Sequence, residues 1–261
     1  MHIITLNTDW GYGDWYNGQV KAQLYSAIED ITVLDLNHSI KKFDIRTAAF
    51  VVKNSCMNFP KGTIHIIDAN TYEDSTKAFV VVKYNQQYYI CTDNGLPSIV
   101  FDGKEVEITD CTNVFSDSNY YTFAVTDLFV KIAKIIIEDG GLDNLGNKQD
   151  GFKTDSSLPL PIIDKNLITC EIIYIDDYGN AYLNIDDKTF KQALNGRSFE
   201  LQTDVDDTIK ELSASYADKA TKGKSLLTIS STRNLELAVR EDNISRLMGY
   251  SIGQQIKIKI V

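Results

Sequence analysis

The chain has 261 residues, of which 43% are apolar and 10% aromatic, and its formal net charge is −10. This length suits one large domain or two modest ones, and the composition excludes a disordered chain. The acidic balance, without any block of Lys or Arg, argues against a nucleic-acid-binding protein.

The four cysteines lie in or beside apolar runs, and none forms a C-x-x-C pair: Cys56, Cys91, Cys111 and Cys170. This spacing predicts buried free thiols in a reducing compartment rather than a zinc site or disulfides. The chain begins with a strand pattern instead of a signal peptide, and no apolar run reaches membrane-spanning length. We therefore expect a cytoplasmic protein without a membrane partner.

The first predicted element is an apolar strand over residues 3–6, followed by a loop of sequence T-D-W-G-Y-G-D-W-Y-N-G and a periodic helix. Asp9 would stand at the strand tip, where a carboxylate can accept hydrogen bonds from a sugar diol. The aromatic side chains of the loop offer flat surfaces to a ligand. The alternative is an aromatic-rich surface turn without a ligand.

Strands and helices continue to alternate through the first half of the chain. The sequence predicts strands over residues 31–36, 63–68, 79–83, 88–92 and 106–108, a helix capped by Asp44, and a helix over residues 123–138. This order favours an α/β domain with a mostly parallel or mixed sheet.

Polar side chains follow three of these strands, namely Asp9, Asp68 and the pair Asp93 and Asn94. Because the carboxyl ends of parallel strands meet at one edge of a sheet, we expect these side chains to converge. Such a cluster suits a diol, an ammonium group or a metal. A metal fits least, because no His accompanies the acids in coordinating register. Each acid alone is also explained as a turn or cap residue.

Two histidines are candidates for chemistry. His65 lies inside an apolar strand, which predicts a packed core residue, and His38 lies in a turn, which predicts a surface or loop-fixing role. The sequence contains no G-x-S-x-G nucleophile elbow, and no Ser–His–Asp triad can be assembled.

The pattern changes after residue 150. Residues 156–166 predict a linker, and beyond them lie short β-like runs, over residues 167–175, 181–185, 199–202, 226–229, 235–239 and 256–261, with one short helix over 188–194. The sequence thus predicts an α/β N-terminal domain with a mixed sheet over residues 1–155. A small all-β, barrel-like C-terminal domain is predicted over residues 167–261.

The second half offers its own candidate binding residues. Tyr178 can stack on a base, and the Asn180 amide can both donate to and accept from an adenine edge. Arg233 can hold a carboxylate through two parallel hydrogen bonds, and Arg240 follows the same strand. The alternatives are a hairpin turn with Gly179 at positive φ and two solvated arginines.

Taken in order, these motifs resemble the S-adenosylmethionine hydroxide adenosyltransferase family, relatives of the fluorinases and chlorinases. The matching segments are T-D-W-G with Asp14 and Gly18, H-S-I followed by Phe43 and Asp44, G-T-I-H at residue 62, T-D-N-G-L at residue 92, Thr122 with Phe123, residues 176–180 with Asn184 and Ile185, and Arg233 with residues 235–240. They run through nearly the whole chain.

The resemblance implies a homotrimer with S-adenosylmethionine as substrate, no cofactor, no metal, and active sites between neighbouring subunits. By position, Asp9 would hold the ribose hydroxyls, Phe43 would pack near the ribose and sulfonium, and Phe123 would wall the nucleophile pocket. The same resemblance implies that Asp176 meets the methionine ammonium and that Tyr178 and Asn180 contact adenine. It also implies that Thr232 and Arg233 bind the methionine carboxylate.

The chain departs from the water-activating members of that family. They resemble one another in an Asp, an Arg seven residues later and a His. Here Asp68 is present, Ser75 stands at the Arg position with Lys77 as a substitute cation, and Ala124 replaces the His. A halogenase is not supported either, because Val125 stands where the halide-binding serine would fall.

Three interpretations follow from the sequence. The first is an S-adenosylmethionine hydrolase that releases adenosine and L-methionine by attack of water or hydroxide at C5′. The second is a catalytically impaired relative that binds S-adenosylmethionine or adenosine without turnover. The third is an unrelated carbohydrate-binding or scaffold protein on the same fold.

Overall fold

The computed structural model describes residues 1–71, 78–115, 123–203, 207–218 and 220–261. The contacts divide the chain into two compact units, Met1–Ser157 and Leu158–Val261. Each unit has its own hydrophobic core. No helix within the described residues is long and apolar enough to cross a membrane.

The first unit alternates strands and helices along most of its length. Its elements are β1 (His2–Thr8), α1 (Tyr16–Ala27), β2 (Ile31–Asn37), α2 (Ile45–Ser55), β3 (Ile64–Asp68), β4 (Phe79–Tyr84), β5 (Gln87–Thr92), α3 (Leu96–Val100), β6 (Glu107–Asp110), α4 (Leu128–Asp139) and β7 (Asn147–Gln149).

These strands form one mixed sheet in the order β2-β1-β3-β5-β4-β6-β7. The pairs β2–β1, β1–β3 and β3–β5 are parallel, whereas β5–β4, β4–β6 and β6–β7 are antiparallel. The predicted mixed sheet with helices is confirmed. The adjacent parallel strands β1, β3 and β5 end at the same edge of the sheet, which is where the candidate site lies.

The period-2 alternation of the strands separates the two faces of this sheet. Ile4, Leu6 and Ile66 pack with α1 and α4 in one cluster of buried side chains. His65 of β3 lies in register with Thr5 of β1. Its Nδ1 atom is 2.7 Å from the Thr5 hydroxyl. Burial lowers the pKa of His65 to about 4. The prediction of a packed core histidine is therefore confirmed.

Local signals in the sequence account for several element boundaries. The Asp44 carboxylate accepts hydrogen bonds from the backbone N–H groups of Arg46 and Thr47 at 3.1 and 3.0 Å, so the predicted cap of α2 is confirmed. The β4–β5 hairpin turns through Asn85 and Gln86, both at positive φ, as a two-residue turn requires.

The predicted helix over residues 123–138 begins too early. A short 3-10 turn covers Ala124–Thr126, and α4 starts only at Leu128. The Thr126 hydroxyl donates to the Phe123 carbonyl at 2.9 Å, a local bond that competes with the helical ladder. Phe123 therefore precedes a short 3-10 turn and lies outside α4. The helix α3 was not predicted.

The second unit is dominated by strands. Its elements are β8 (Ile162–Ile163), β9 (Leu167–Ile175), β10 (Ala181–Asp186), α5 (Asp187–Leu194), β11 (Phe199–Thr203), β12 (Asp207–Ile209), β13 (Leu212–Ser213), β14 (Ser225–Ile229), β15 (Asn234–Val239), α6 (Ile244–Met248) and β16 (Gln255–Ile260).

The sheet of this unit has the order β12-β11-β16-β9-β10-β15-β14-β13, with β8 paired to β9. The two edge strands of this sheet, β12 and β13, lie close together: β12 contacts β14, the neighbour of β13, and only two residues separate β12 from β13. The sheet is therefore nearly barrel-shaped. The predicted short helix is present as α5, whereas α6, which follows β15, was not expected. All four cysteines of the chain are free and buried, as predicted.

Candidate functional site

The polar strand ends of the first unit do converge. Thr8 of β1 lies in register with Asp68 of β3, and the Asp9 backbone N–H donates to the Asp68 carbonyl at 3.1 Å. The Asp9 carboxylate oxygen Oδ2 accepts from the backbone N–H groups of Phe43 and Asn70 at 3.0 and 3.1 Å. Asp9 thereby joins three separate loops at this edge.

The Asp68 carboxyl group is buried, and Asp9 is its charged neighbour. Its Oδ2 atom accepts a hydrogen bond from the indole N–H of Trp10, and its Oδ1 atom accepts no well-formed hydrogen bond from the described part of the chain. Burial raises the pKa of Asp68 to about 7; the Thr71 hydroxyl and the Trp10 indole oppose the rise, and the Asp9 charge adds to it. This group can therefore exchange a proton near neutral pH.

An aromatic wall stands beside Asp68. Phe123 makes edge contacts with Trp10 and Tyr16, at centroid distances of 5.1 and 4.9 Å. The Trp10 ring also stacks on His38, at 5.8 Å and an interplanar angle of 18°. This wall brings the predicted pocket residue Phe123 into contact with the side chain that holds Asp68.

Phe43 differs from the other aromatic residues because it is 73% exposed. It has a φ angle of +64°, a conformation that is costly for a bulky side chain, and its N–H is fixed on Asp9. Strain of this kind is retained mainly where the surrounding structure imposes it, often at functional sites. Phe43 and Asp9 are thus neighbours at this edge of the sheet.

His38 was predicted on the surface or in a loop-fixing role, and the structure supports the second. Its side chain is fully buried. Nδ1 lies 2.6 Å from the Thr8 hydroxyl and Nε2 lies 3.1 Å from the Asp35 carboxylate, while its carbonyl accepts from the Gly11 N–H at 2.7 Å. His38 therefore ties the end of β2 to the loop after β1.

Asp93 and Asn94 form a supporting layer at this edge. Asp93 accepts from the backbone N–H of Lys153 at 2.6 Å, and burial raises its pKa against the effect of that bond. The Asn94 amide donates to the carbonyls of Ala69 and Asn70 at 3.0 and 3.2 Å. Since Asn70 in turn donates to Asp9, Asn94 positions the loop that holds the Asp9 carboxylate.

In the second unit, the turn between β9 and β10 is built around Asp176. Its carboxylate accepts from the Asn180 backbone N–H at 2.8 Å, from the Asn180 amide at 3.2 Å and from the Tyr182 hydroxyl at 3.3 Å. Gly179 has φ +82°, as the hairpin alternative expects, and a Cβ there would lie 2.1 Å from Asn243. The turn is therefore closely packed.

A cleft of about 750 Å³ opens beside this turn. It brings together three residues singled out from the sequence, Tyr178, Asn180 and Arg240, and Tyr178 is 80% exposed. Tyr216 and Arg246 also line the cleft, and they were not predicted because they belong to no recognisable sequence motif. The Tyr216 hydroxyl donates at 2.7 Å to the buried Glu236, whose pKa is raised by burial.

Thr232 and Arg233 lie elsewhere in this unit. They occupy the turn before β15, whereas Arg240 follows its other end, so the strand separates the two arginines by about 20 Å. The Arg233 guanidinium binds Asp187 in a bidentate manner: Nε donates to Oδ1 at 3.2 Å and Nη2 donates to Oδ2 at 2.8 Å. Within this unit, Arg233 is thus paired with a protein carboxylate and does not line the cleft.

One predicted catalytic residue, Lys77, lies outside the described residues, as do Ser75 and Thr122. Within the described residues, no group of three or more His, Cys, Asp or Glu side chains is arranged to hold a metal ion.

In the first unit, parallel strand ends carry two carboxyl groups beside an aromatic wall. The second unit is rich in β-strands and contains a cleft. The chain is therefore a two-part α/β and β protein with features of a small-molecule site. The chain belongs to the SAM hydroxide adenosyltransferase family: the family's N-terminal domain matches residues 4–146 and its C-terminal domain matches residues 170–257.

Individual relatives extend over the whole chain. The chain is 26% identical to the (R)-S-adenosyl-L-methionine hydrolase of Methanocaldococcus jannaschii, over 99% of this chain and 96% of the relative. It is 21% identical to the protein of the same name from Salinispora tropica, over 98% and 97%.

Solved structures show the same fold. A conserved, uncharacterized protein from Thermotoga maritima matches with a TM-score of 0.85 and 22% identity, over 98% of this chain and 99% of that one. A conserved hypothetical protein from Thermus thermophilus matches with a TM-score of 0.73 and 19% identity over the full length of both.

Proposed function

We propose that this protein hydrolyses S-adenosylmethionine to adenosine and L-methionine. The observation that carries the proposal is the buried Asp68 carboxyl group, whose pKa of about 7 suits it to accept a proton at neutral pH. Family membership and the names of the two full-length relatives support the choice of substrate.

The sulfonium of S-adenosylmethionine is already an activated leaving group, so the reaction needs a placed water and a base. The water oxygen bonds to C5′ as the C5′–S bond breaks, and the electron pair of that bond stays on sulfur as the thioether of methionine. Asp68 takes the proton from water. Trp10 and Phe123 would exclude competing water. A base of this kind contributes roughly 10²–10⁴-fold to the rate.

The residues near Asp9 form the proposed ribose site. Asp9 would accept from the ribose hydroxyls, and its orientation is supported by the two backbone N–H groups on Oδ2. Phe43 would pack near the ribose and the sulfonium, and Asp93 and Asn94 would hold the surrounding loops. Lys77 remains part of the proposal as a cation that assists Asp68.

The second unit supplies the proposed adenine and methionine contacts. Tyr178 would stack on adenine, with Asn180 and Arg240 on its edge; their shared cleft supports this assignment. Asp176 would meet the methionine ammonium. Thr232 and Arg233 would take the methionine carboxylate, which requires Arg233 to exchange its bond to Asp187 for one to the ligand. These last assignments rest on the family resemblance.

A second candidate function is binding of S-adenosylmethionine or adenosine without turnover. The observation in its favour is Ala124, which stands where the water-activating relatives carry His. The two functions share the ligand, so they differ only in whether products form.

Incubation with S-adenosylmethionine in water enriched in ¹⁸O tests the proposal. The expected products are methionine and adenosine with ¹⁸O on the 5′ carbon, identified by chromatography and mass spectrometry. Both sulfonium epimers are assayed, because the relatives' names specify the (R) form. Binding by calorimetry without product selects the second function, and absence of binding refutes both.

Other properties belong to the same proposal. We propose that the second unit is a small β-barrel domain, that the chain assembles as a homotrimer with sites between subunits, and that it works in the cytoplasm without a cofactor. Sedimentation equilibrium at several concentrations tests the trimer.

A further inference from the structure

Trp10 contacts the carboxyl group that the proposed reaction uses. Its side chain is 8% exposed, and its indole N–H donates to Oδ2 of Asp68 across 58 residues of sequence. An indole is a donor only, so it can bond either form of the acid but favours the charged one. Trp10 is therefore a directional partner of Asp68 and more than a flat surface.

The position of the Trp10 ring is itself fixed. One face stacks on His38, and its edge meets Phe123. His38 is held in turn by the Thr8 hydroxyl at 2.6 Å and lies 3.1 Å from the Asp35 carboxylate. The ring contacts with His38 and Phe123 thus restrict where the indole N–H points.

We propose that Trp10 is a positioning residue of this enzyme: its indole N–H holds one oxygen of Asp68 so that the other receives the proton of the attacking water. The inference rests on the proposed hydrolysis. Position 124 carries Ala, so no imidazole is available there to orient the water or the base. Trp10 supplies a neutral donor from a different part of the site.

The groups that face Asp68 predict the direction of the effect. Among the described residues, Asp9 is the charged neighbour and raises the pKa of Asp68, while the Thr71 hydroxyl and the Trp10 indole lower it. Loss of the indole donor therefore raises the pKa of Asp68 further. An enzyme that needs the carboxylate then requires a higher pH.

The chain has two tryptophans, which allows a direct optical test. In Trp15→Phe, Trp10 is the single remaining indole and its fluorescence reports on its hydrogen bond. We expect its emission to titrate with a midpoint near pH 7. We expect the titration to disappear when Asp68→Asn is added. Both variants keep Trp10, so the test does not depend on the folding of a Trp10 variant.

The kinetic test uses Trp10→Phe, which retains a ring for stacking but removes the N–H. We expect the midpoint of the acid limb of its kcat/KM profile to move to higher pH by about one unit. This is the scale for loss of a hydrogen bond to a charged group. At pH 7, kcat should fall about fivefold, because a base of pKa about 7 that shifts by one unit loses about four fifths of its carboxylate form there, while KM stays within about twofold. Trp15→Phe, which removes an indole without a carboxylate partner among the described residues, should keep the wild-type midpoint.

The outcomes separate this inference from the proposed function. An active Trp10→Phe enzyme with the wild-type pH profile, or a Trp10 titration that survives Asp68→Asn, overturns the inference alone. Absence of turnover in the wild-type protein refutes the proposed function and with it the catalytic role of Trp10, while the fluorescence titration still decides whether the two side chains are paired.

Discussion

Replacement of Asp68 by Asn should stabilise the folded protein at pH 8 while it removes the proposed base. Burial raises the pKa of Asp68 from 3.8 to about 7. At about 1.36 kcal/mol for each pKa unit, this rise is equivalent to about 4 kcal/mol. The carboxylate thus costs stability at neutral and alkaline pH, and a neutral amide of the same shape avoids that cost.

The sign of the pH dependence follows from proton binding. Between pH 3.8 and about 7, the folded chain holds a proton on Asp68 that the unfolded chain releases, so the stability contributed by this group falls as pH rises through this window. Relative to wild type, Asp68→Asn should gain about 2 kcal/mol at pH 5.5 and about 4 kcal/mol at pH 8.

Urea unfolding at pH 5.5, 6.5 and 8 measures this difference. Asp155→Asn is the matched control, because Asp155 is exposed and an exposed carboxylate gains little from neutralisation. A difference between Asp68→Asn and wild type that stays constant with pH, or an Asn variant that is less stable at pH 8, would refute the reasoning.

Three further predictions concern stability and binding. His65, with its pKa lowered to about 4 by burial, should contribute a loss of about 3 kcal/mol as pH falls from 6.5 to 4, because the unfolded state takes up the proton more readily; the difference in unfolding free energy between wild type and His65→Gln at both pH values measures it, since the opposite contribution of Asp68 is common to both proteins. Gly179→Ala should lower the unfolding free energy by about 1–2 kcal/mol from positive φ alone, and by more from the contact with Asn243. Asp9→Ala should weaken S-adenosylmethionine binding by about 1–3 kcal/mol in calorimetry.

Each of these predictions has a control. Relative to wild type, His65→Gln should gain about 3 kcal/mol between pH 6.5 and 4, whereas the exposed His2→Gln should keep the pH dependence of the wild type. Gly179→Ala combined with Asn243→Ala should be less destabilised than the two single changes predict, and strict additivity would contradict the contact. Unchanged affinity in Asp9→Ala would place the ribose site elsewhere.

Local sequence signals predicted much of the first unit. The Asp44 cap and the strands β4 and β5 depend on residues within a few positions of one another, so their patterns are readable from the chain. The helix expected at residue 123 started later because the Thr126 hydroxyl bonded the Phe123 carbonyl instead of leaving it to the helix. Periodicity alone does not record that competition.

Local sequence patterns did not predict contacts between residues that are far apart in the chain. The alternation around His65 indicated its burial, whereas the burial of His38 depended on the stacking of Trp10, which the turn sequence does not reveal. Arg233 was expected to be solvated or to bind a ligand carboxylate, and its partner Asp187 comes from the first turn of α5, 46 residues earlier in the chain.

The sequence by itself determined most of the strand and helix order of the first unit, the polar residues at its strand ends and the family, since all three depend on residue identity and spacing. Only the tertiary structure decided that Asp68 is buried, that the Trp10 indole bonds it and that Tyr216 and Arg246 share the cleft with Asn180. The physical reason is that desolvation and hydrogen-bond geometry depend on which side chains surround a group in space, and in this protein those side chains come from distant parts of the chain.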